Sequence, residues 1–383
     1  MDKSYFDFDE NLVTITKYEV LGKLPDPFLK DNGERVKSPA EWPERRKEIY
    51  KTAVELQYGT IPPKPEVFDV KCIYKDNYRI TCGTEEKQLS FVFRVFMPQN
   101  VEGKIPVIVD GDMCFPYPYN SDYRNEYLNK GIAYVVFNRV ELADDIQFVG
   151  RRHGPLYEIY PDYTFGALGA WAWGYMRVVD ALEQLDIFDL NYLSFTGHSR
   201  GGKTAMLAGV LDERAKIVNP NETNQGSCSC YRVHSEVLQE NGNKERSETL
   251  HDLWNNLGFW LGEGMGEYAD READLPFDAH FLKAMVASRV LLVGEAASDG
   301  WTNVPGTWQT SCAAKEVFKF LGCEENLKWY FRKGYHNHAP EDAAMLANLI
   351  CHLQGKEELY PYYYKTPFKP YEKIWDWSIP EIS

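Results

Sequence analysis

The sequence lacks any run of about 18 apolar residues, the length that a membrane-spanning helix requires. Its first residues are acidic and contain no apolar segment like that of a secretory signal, so we expect a cytoplasmic protein. Positive charge is scarce, because the sequence has 42 Lys and Arg residues but 57 Asp and Glu residues, which gives a formal net charge of -15. Because phosphate groups bind basic surfaces, this balance predicts neither a nucleic-acid partner nor an anionic membrane surface.

The sequence also lacks the common metal-binding patterns. None of its 8 cysteines belongs to a C-x-x-C pair, no H-E-x-x-H occurs, and the histidines do not cluster with the cysteines. We therefore expect reduced, mostly buried thiols, no metal site and no cofactor.

Apolar runs alternate with helical patterns through most of the chain. The predicted strands are residues 106–110, 133–137, 193–196, 290–293 and 327–331, and the predicted helices are residues 166–185, 203–211, 311–321 and 340–353. Strands that alternate with helices form a largely parallel sheet with helices on both faces. The sequence therefore predicts the α/β class, as a three-layer sandwich with a mostly parallel central sheet.

The beginning of the chain has a different pattern. A polar segment at 34–58, helical in its second half, precedes a Pro-rich turn, and two segments of period 2, 68–74 and 89–96, predict antiparallel strands. We expect a single domain over residues 1–383, with an N-terminal extension at 1–66 and the core at 67–383.

Ser199 lies in the sequence Gly197-His198-Ser199-Arg200-Gly201, between a predicted strand and a predicted helix. This is the G-x-S-x-G pattern in the strand–turn–helix context of a nucleophile elbow. A serine at the tip of such a turn takes a strained backbone conformation, and the two glycines remove side chains that would clash there. The pattern predicts an α/β-hydrolase with Ser199 as its nucleophile, activated near the N–H groups of a helix N-terminus.

A serine nucleophile needs a base, and in this fold the histidine comes last in the chain. His336 follows the last predicted strand and is our predicted base, with His338 as the alternative. The third residue must accept a hydrogen bond from the histidine. Asp299, in the loop after the strand 290–293, and Glu222, after the strand that follows the nucleophile helix, are equal candidates, and Glu295 is a weaker one.

The segment 197–203, GHSRGGK, resembles the G-C-S-R-x-G-K elbow of glucuronoyl esterases and their bacterial relatives. Those enzymes cleave the ester between 4-O-methyl-glucuronate on xylan and a lignin alcohol. Further segments that resemble the family lie at 25–28, 166–174, 211–214, 219–223 and 275–280. The resemblance implies a carboxylic ester hydrolase of the α/β-hydrolase fold that acts on a carbohydrate ester.

The resemblance also implies roles for single residues. Ser199 matches the nucleophile and His336 the base, whereas Glu222 matches the acid of fungal members and Asp299 the alternative acid of some bacterial members.

Two cations of the elbow helix match residues that act on the substrate. Arg200 matches an arginine that helps to form the oxyanion hole, and Lys203 matches a lysine that contacts the uronate hydroxyls. Cations at a helix N-terminus oppose the helix dipole, which favours an anionic ligand or transition state nearby. Trp260 is similar to a substrate-stacking tryptophan, although a core position fits it equally well.

The elbow departs from the fungal pattern at His198, where fungal members carry a disulfide-bonded cysteine. Elbows with this histidine are also typical of bacterial relatives that act as acetyl xylan esterases. We predict a serine esterase like the 4-O-methyl-glucuronoyl methylesterases, with an acetyl xylan or oligosaccharide deacetylase as the alternative. A serine peptidase is a weaker alternative, because no propeller-like repeat precedes the core.

Overall fold

The computed structural model describes residues 1–239 and 241–381. Its strands are β1 (Thr14–Val20), β2 (Val67–Tyr74), β3 (Asn77–Gly83), β4 (Gln88–Phe96), β5 (Ile105–Asp110), β6 (Ala133–Phe137), β7 (Phe188–His198), β8 (Ile217–Asn221), β9 (Val233–Leu238), β10 (Lys244–Arg246), β11 (Val290–Ala296) and β12 (Leu327–Arg332). Its α-helices are α1 (Trp42–Ile49), α2 (Leu56–Tyr58), α3 (Ser121–Leu128), α4 (Pro155–Ile159), α5 (Ala167–Leu185), α6 (Arg200–Leu211), α7 (Leu250–Leu257), α8 (Ala279–Val286), α9 (Val304–Phe320) and α10 (Pro340–Leu353).

These elements belong to two compact units that interleave along the chain. The first contains Met1–Lys3, Thr60–Asn221 and His338–Pro361; the second contains Ser4–Gly59, Glu222–Asn337 and the residues from Tyr362 onward. The single domain, with its extension at 1–66 and its core at 67–383, stays a prediction.

The first unit is built on strands that lie side by side in the order β8-β7-β5-β6-β4-β3-β2. The pairs β7–β8, β5–β7 and β5–β6 are parallel, whereas β4–β6, β3–β4 and β2–β3 are antiparallel. Every residue of β5 and β6 is buried, as expected for parallel strands with both faces covered. The parallel strands agree with the sequence prediction, and β2 and β4 match the two predicted antiparallel strands, whereas β3, which pairs with both, was not predicted.

Helix α5 fills the core of the first unit with aromatic side chains. Trp171 and Trp173 are fully buried, and their indole nitrogens donate to the backbone oxygens of Ala143 at 2.8 Å and Pro63 at 2.9 Å. Both tryptophans therefore pack the core.

No helix among the described residues is at once long enough and apolar enough to cross a bilayer.

The second unit pairs β11 with β12 in parallel and holds a separate antiparallel sheet in the order β1-β9-β10. This small sheet was not predicted from the sequence. Strand β1 is mostly exposed and alternates little between apolar and polar positions, so its sequence carries a weak strand signal. Its partner β9 lies far along the chain, and only the fold brings the two together.

Helix α9 begins before the predicted residue 311. Asn303, with a φ of 58°, precedes the helix, and its side chain accepts the N–H of Gly306. Pro305 lies in the first turn, where its missing N–H costs nothing. Local capping therefore extends this helix beyond its apolar pattern.

Candidate active site

Ser199 lies at the tip of the turn between β7 and α6, with φ 55° and ψ -119°. A positive φ is strained for a residue with a side chain, and such strain clusters at functional sites. The backbone N–H of Ser199 donates to the backbone oxygen of Asn221 at 2.9 Å, and the backbone oxygen of Ser199 accepts the backbone N–H of Lys203 at 2.9 Å. The turn thus has the strand–turn–helix geometry that the sequence predicts.

Two glycines allow the chain to close this turn. A Cβ at Gly197 would lie 2.5 Å from the backbone of Gly201, and a Cβ at Gly201 would lie 1.9 Å from Oδ2 of Asp112. The backbone and a carboxylate therefore occupy the space that side chains would need.

Asp112, just beyond β5, supports the elbow and was missed in the sequence analysis. Its buried carboxylate accepts the N–H of His198 at 3.3 Å and the Nε–H of Arg139 at 2.9 Å. The hydroxyl of Tyr117 lies 2.7 Å from its Oδ2. Burial, followed by the charge of Asp112, raises the pKa of the neighbouring Asp110 above its usual value. The one sequence signal was the position of these acids at the carboxyl end of a predicted strand.

Arg200 ends a charge row formed by Asp112, Arg139, Asp145 and Arg200. Its Nη1 donates to Asp145 Oδ2 at 3.0 Å, and Nη1 of Arg139 lies 3.3 Å from the same oxygen. Burial opposes the charge of Arg139, but the carboxylates of Asp112 and Asp145 raise the pKa of its guanidinium above the usual value. Charges of opposite sign therefore alternate from the buried support of the elbow to the partly exposed Arg200.

His336 and Asp299 follow the adjacent parallel strands β12 and β11 in the second unit. His336 Nδ1 lies 2.6 Å from Asp299 Oδ2. The carboxylate is 2% exposed, whereas the imidazole is 36% exposed. The buried carboxylate of Asp299 therefore contacts one ring nitrogen of His336, whose side chain is partly exposed.

Glu222 contacts the same loop in a different way. Its Oε1 accepts a hydrogen bond from Nη2 of the buried Arg332 at 2.5 Å, and its Oε2 accepts the Asn337 N–H at 3.1 Å. His336 Nδ1 lies 3.6 Å from Oε2, farther than from Asp299. Glu222 thus anchors the backbone next to His336, and Asp299 makes the short contact with the ring.

Glu295, the weaker acid candidate, lies buried in β11. Burial, with the charge of Asp299 as the second cause, raises its pKa to about 8. A carboxyl group that keeps its proton at neutral pH cannot stabilise an imidazolium by its charge. This argues against Glu295 as the triad acid.

The variant Glu295→Gln is expected to lose part of the pH dependence of stability. Between the usual Glu pKa of 4.5 and the raised value of about 8, the unfolded chain gives up a proton that the folded chain keeps. The free energy of unfolding of the wild type therefore falls as the pH rises through this window and levels off above it. Glutamine does not ionise, so the Tm of the variant should fall less between about pH 5 and about pH 9. Thermal unfolding measures this, and parallel curves for both proteins would contradict it.

His338, the alternative base, is held in the first unit. Its Nε2 lies 2.7 Å from the Tyr123 hydroxyl and its Nδ1 lies 3.6 Å from Asp342. The ring stacks on His198 with 5.3 Å between centroids and is 1% exposed. This burial favours His336 as the base.

Lys203 and Trp260 are both buried. Lys203 lies in the first turn of α6, and Trp260 ends the 3-10 turn Gly258–Trp260, with its ring 6.1 Å from that of Phe259. Their roles in substrate binding stay predictions.

Known proteins resemble this chain over most of its length. A family model described as glucuronyl esterase, fungi, matches residues 80–322. The 4-O-methyl-glucuronoyl methylesterase 1 of Wolfiporia cocos (strain MD-104) is 28% identical over 380 residues, which cover 94% of this chain and 89% of that protein.

Solved structures agree with this result. A carbohydrate esterase family 15 glucuronoyl esterase from Caldicellulosiruptor kristjansonii has a TM-score of 0.83 and 29% identity, covering 94% of this chain and 98% of that one. The glucuronoyl esterase catalytic domain from Hypocrea jecorina has a TM-score of 0.79 and 25% identity, covering 96% and 99%. The predicted α/β-hydrolase fold is confirmed.

The prediction of a cytoplasmic protein is wrong. Homologous fungal glucuronoyl esterases are secreted enzymes that act on plant cell-wall polysaccharides. The prediction depended on the composition of the first residues of the sequence, and that composition alone does not decide where a protein functions.

The predicted activity class, by contrast, is confirmed. The matched family consists of carboxylic ester hydrolases, and a serine mechanism is consistent with it. The family model extends over more than half of the chain. The chain therefore belongs to the glucuronoyl esterase family.

Proposed function

We propose that this enzyme hydrolyses esters of 4-O-methyl-glucuronate through an acyl-enzyme on Ser199. The observation that carries the proposal is the elbow itself: a serine at φ 55° at the start of α6, followed directly by an arginine. The relatives that are named 4-O-methyl-glucuronoyl methylesterases support the choice of a uronate as the acyl group.

In the first step, Ser199 Oγ attacks the ester carbonyl and His336 Nε2 takes its proton. With Nδ1 against Asp299, the ring keeps Nδ1–H as a donor to the carboxylate and presents the Nε2 lone pair to the serine. The proton then passes to the leaving alcohol, and water hydrolyses the acyl-enzyme by the same route. The proposal requires Ser199 Oγ and His336 Nε2 to come within about 3 Å in the substrate complex.

The tetrahedral intermediate carries an oxyanion that needs donors. We assign this role to the backbone N–H of Arg200, which follows the nucleophile, and to the guanidinium of the same residue. A planar cation that is already oriented adds to backbone donors at no cost of reorganisation during the reaction.

We assign the triad acid to Asp299 and a positioning role to Glu222. The distances of 2.6 Å and 3.6 Å from His336 Nδ1 support this order. The carboxylate of Glu222 also forms an ion pair with Arg332, so its main partner is a residue other than His336.

We propose that Lys203 and Trp260 contact the sugar. The homologues act on small carbohydrate esters, and for this chain we propose a glucuronate ester of a xylan oligosaccharide or its fragment. No nucleic acid or membrane takes part in this proposal.

Paired substrates test the choice of ester. We expect a higher kcat/KM with a benzyl glucuronate ester than with p-nitrophenyl acetate. Lys203→Met should raise KM for the uronate while leaving turnover of the acetate little changed, because acetate has no sugar hydroxyls. Lys216→Met, which alters an exposed lysine beyond the elbow helix, serves as the matched control. Turnover of acetyl esters alone would reject the glucuronate proposal and favour the deacetylase.

A further inference from the structure

We infer that Asp145 is a positioning residue that holds the Arg200 guanidinium in place for the oxyanion, and that Arg139 and Asp112 fix Asp145 in turn. The inference rests on the proposed role of Arg200. It adds to that role a supporting carboxylate, which lies in a loop 55 positions earlier in the chain.

The contact itself is short and unequal in burial. Arg200 Nη1 lies 3.0 Å from Asp145 Oδ2; the arginine side chain is 34% exposed and the carboxylate 10%. A long side chain at a surface samples many rotamers unless a fixed partner selects one. Asp145 is such a partner, because little of it can move into solvent.

Arg139 keeps Asp145 in place. This fully buried arginine reaches Asp145 through Nη1 at 3.3 Å and Asp112 through Nε at 2.9 Å. Its guanidinium also lies over the Trp171 ring, 4.2 Å from the centroid. Because the Trp171 ring contacts one face of the guanidinium and the two carboxylates bind its edges, Arg139 is a rigid donor to Asp145.

The other end of the charge row touches the backbone of the elbow. Asp112 accepts the His198 N–H, and its Oδ2 occupies the space that a Cβ at Gly201 would need. The side-chain donor and the turn that carries Ser199 therefore share one buried support. This arrangement sets the position of Arg200 relative to Ser199 before substrate arrives, which is what preorganised oxyanion stabilisation requires.

Asp145→Asn tests the inference, with the adjacent Asp144→Asn as its control. Asp144 is a more exposed carboxylate that lies 3.5 Å from His153. For Asp145→Asn we expect kcat to fall by at least about tenfold and up to about 10²-fold, the range for misplacing a catalytic group. KM should change by less than about twofold, since the ground state gains little from an oxyanion donor. Asp145→Glu should restore part of kcat, and Asp144→Asn should leave kcat unchanged.

The variant Arg200→Gln separates positioning from a purely structural role. Alone it should lower kcat by about 10²- to 10³-fold, as loss of an oxyanion donor does. In that background, Asp145→Asn should lower kcat by less than about a further twofold, because no guanidinium remains to be positioned. The full Asp145 effect in both backgrounds would overturn the inference, as would an unchanged kcat in Asp145→Asn. An unchanged kcat in Arg200→Gln would instead reject the proposed role of Arg200, and the inference with it. The Asp145 variants alone do not test that role.

Discussion

Replacing Ser199 by alanine is expected to lower kcat by about 10⁶-fold, the size of effect seen when a nucleophile that acts as one unit with its base is removed. The strained turn would remain, because Gly197 and Gly201 still provide the space for it. Loss of activity without loss of fold is therefore expected. A residual rate above that in water should persist, since oxyanion donors and binding still act.

A second serine, in the strand that leads into the elbow, serves as the control. Ser194→Ala removes a buried hydroxyl of β7 that donates to the Tyr192 oxygen at 3.0 Å. This variant should keep kcat and show at most a small loss in Tm. Full activity in Ser199→Ala, with circular dichroism matching the wild type, would show that the nucleophile lies elsewhere.

Asp299→Ala should lower kcat by about 10⁴-fold, the cost of losing the acid that holds the catalytic histidine in its tautomer. The contact of 2.6 Å with His336 Nδ1 is the reason to expect so large an effect. Asp274→Ala, which removes an exposed carboxylate paired with Arg271, is the control and should leave kcat unchanged.

Glu222→Ala should act mainly on stability. Arg332 is fully buried, and removal of its carboxylate partner leaves an uncompensated charge, at a cost of about 3–5 kcal/mol in the free energy of unfolding. We expect a smaller loss of kcat than for Asp299→Ala. The reverse order of the two kcat values would assign the acid to Glu222, and equal small losses would mean that each carboxylate replaces the other.

Local patterns in the sequence were sufficient for most strands of the large sheet and for the elbow. The predicted strand 133–137 matches β6, because a short run of five apolar residues is typical of a strand that is buried on both faces. Strand β7 runs from Phe188 and exceeds the prediction of 193–196, since its first half includes polar, partly exposed residues. Gly197 and Gly201 indicated the turn at Ser199, because the G-x-S-x-G pattern is contiguous in the sequence.

Contacts between distant segments could not be predicted in this way. Asp145 looks like any loop carboxylate until the fold brings it to Arg200, and most loop acids are simply solvated. Asp112 and Arg139 depend in the same way on the pairing of β5 with β6 and on the loop that follows each strand. The choice between Asp299 and Glu222 also depended on distances, because both acids follow strands at suitable positions.

The most direct test of the central claim is covalent labelling with a serine-reactive fluorophosphonate, followed by peptide mapping. We predict one adduct, on Ser199, formed as activity is lost, together with no labelling in Ser199→Ala and slow labelling in His336→Ala. An adduct on another serine that accompanies the loss of activity would contradict it.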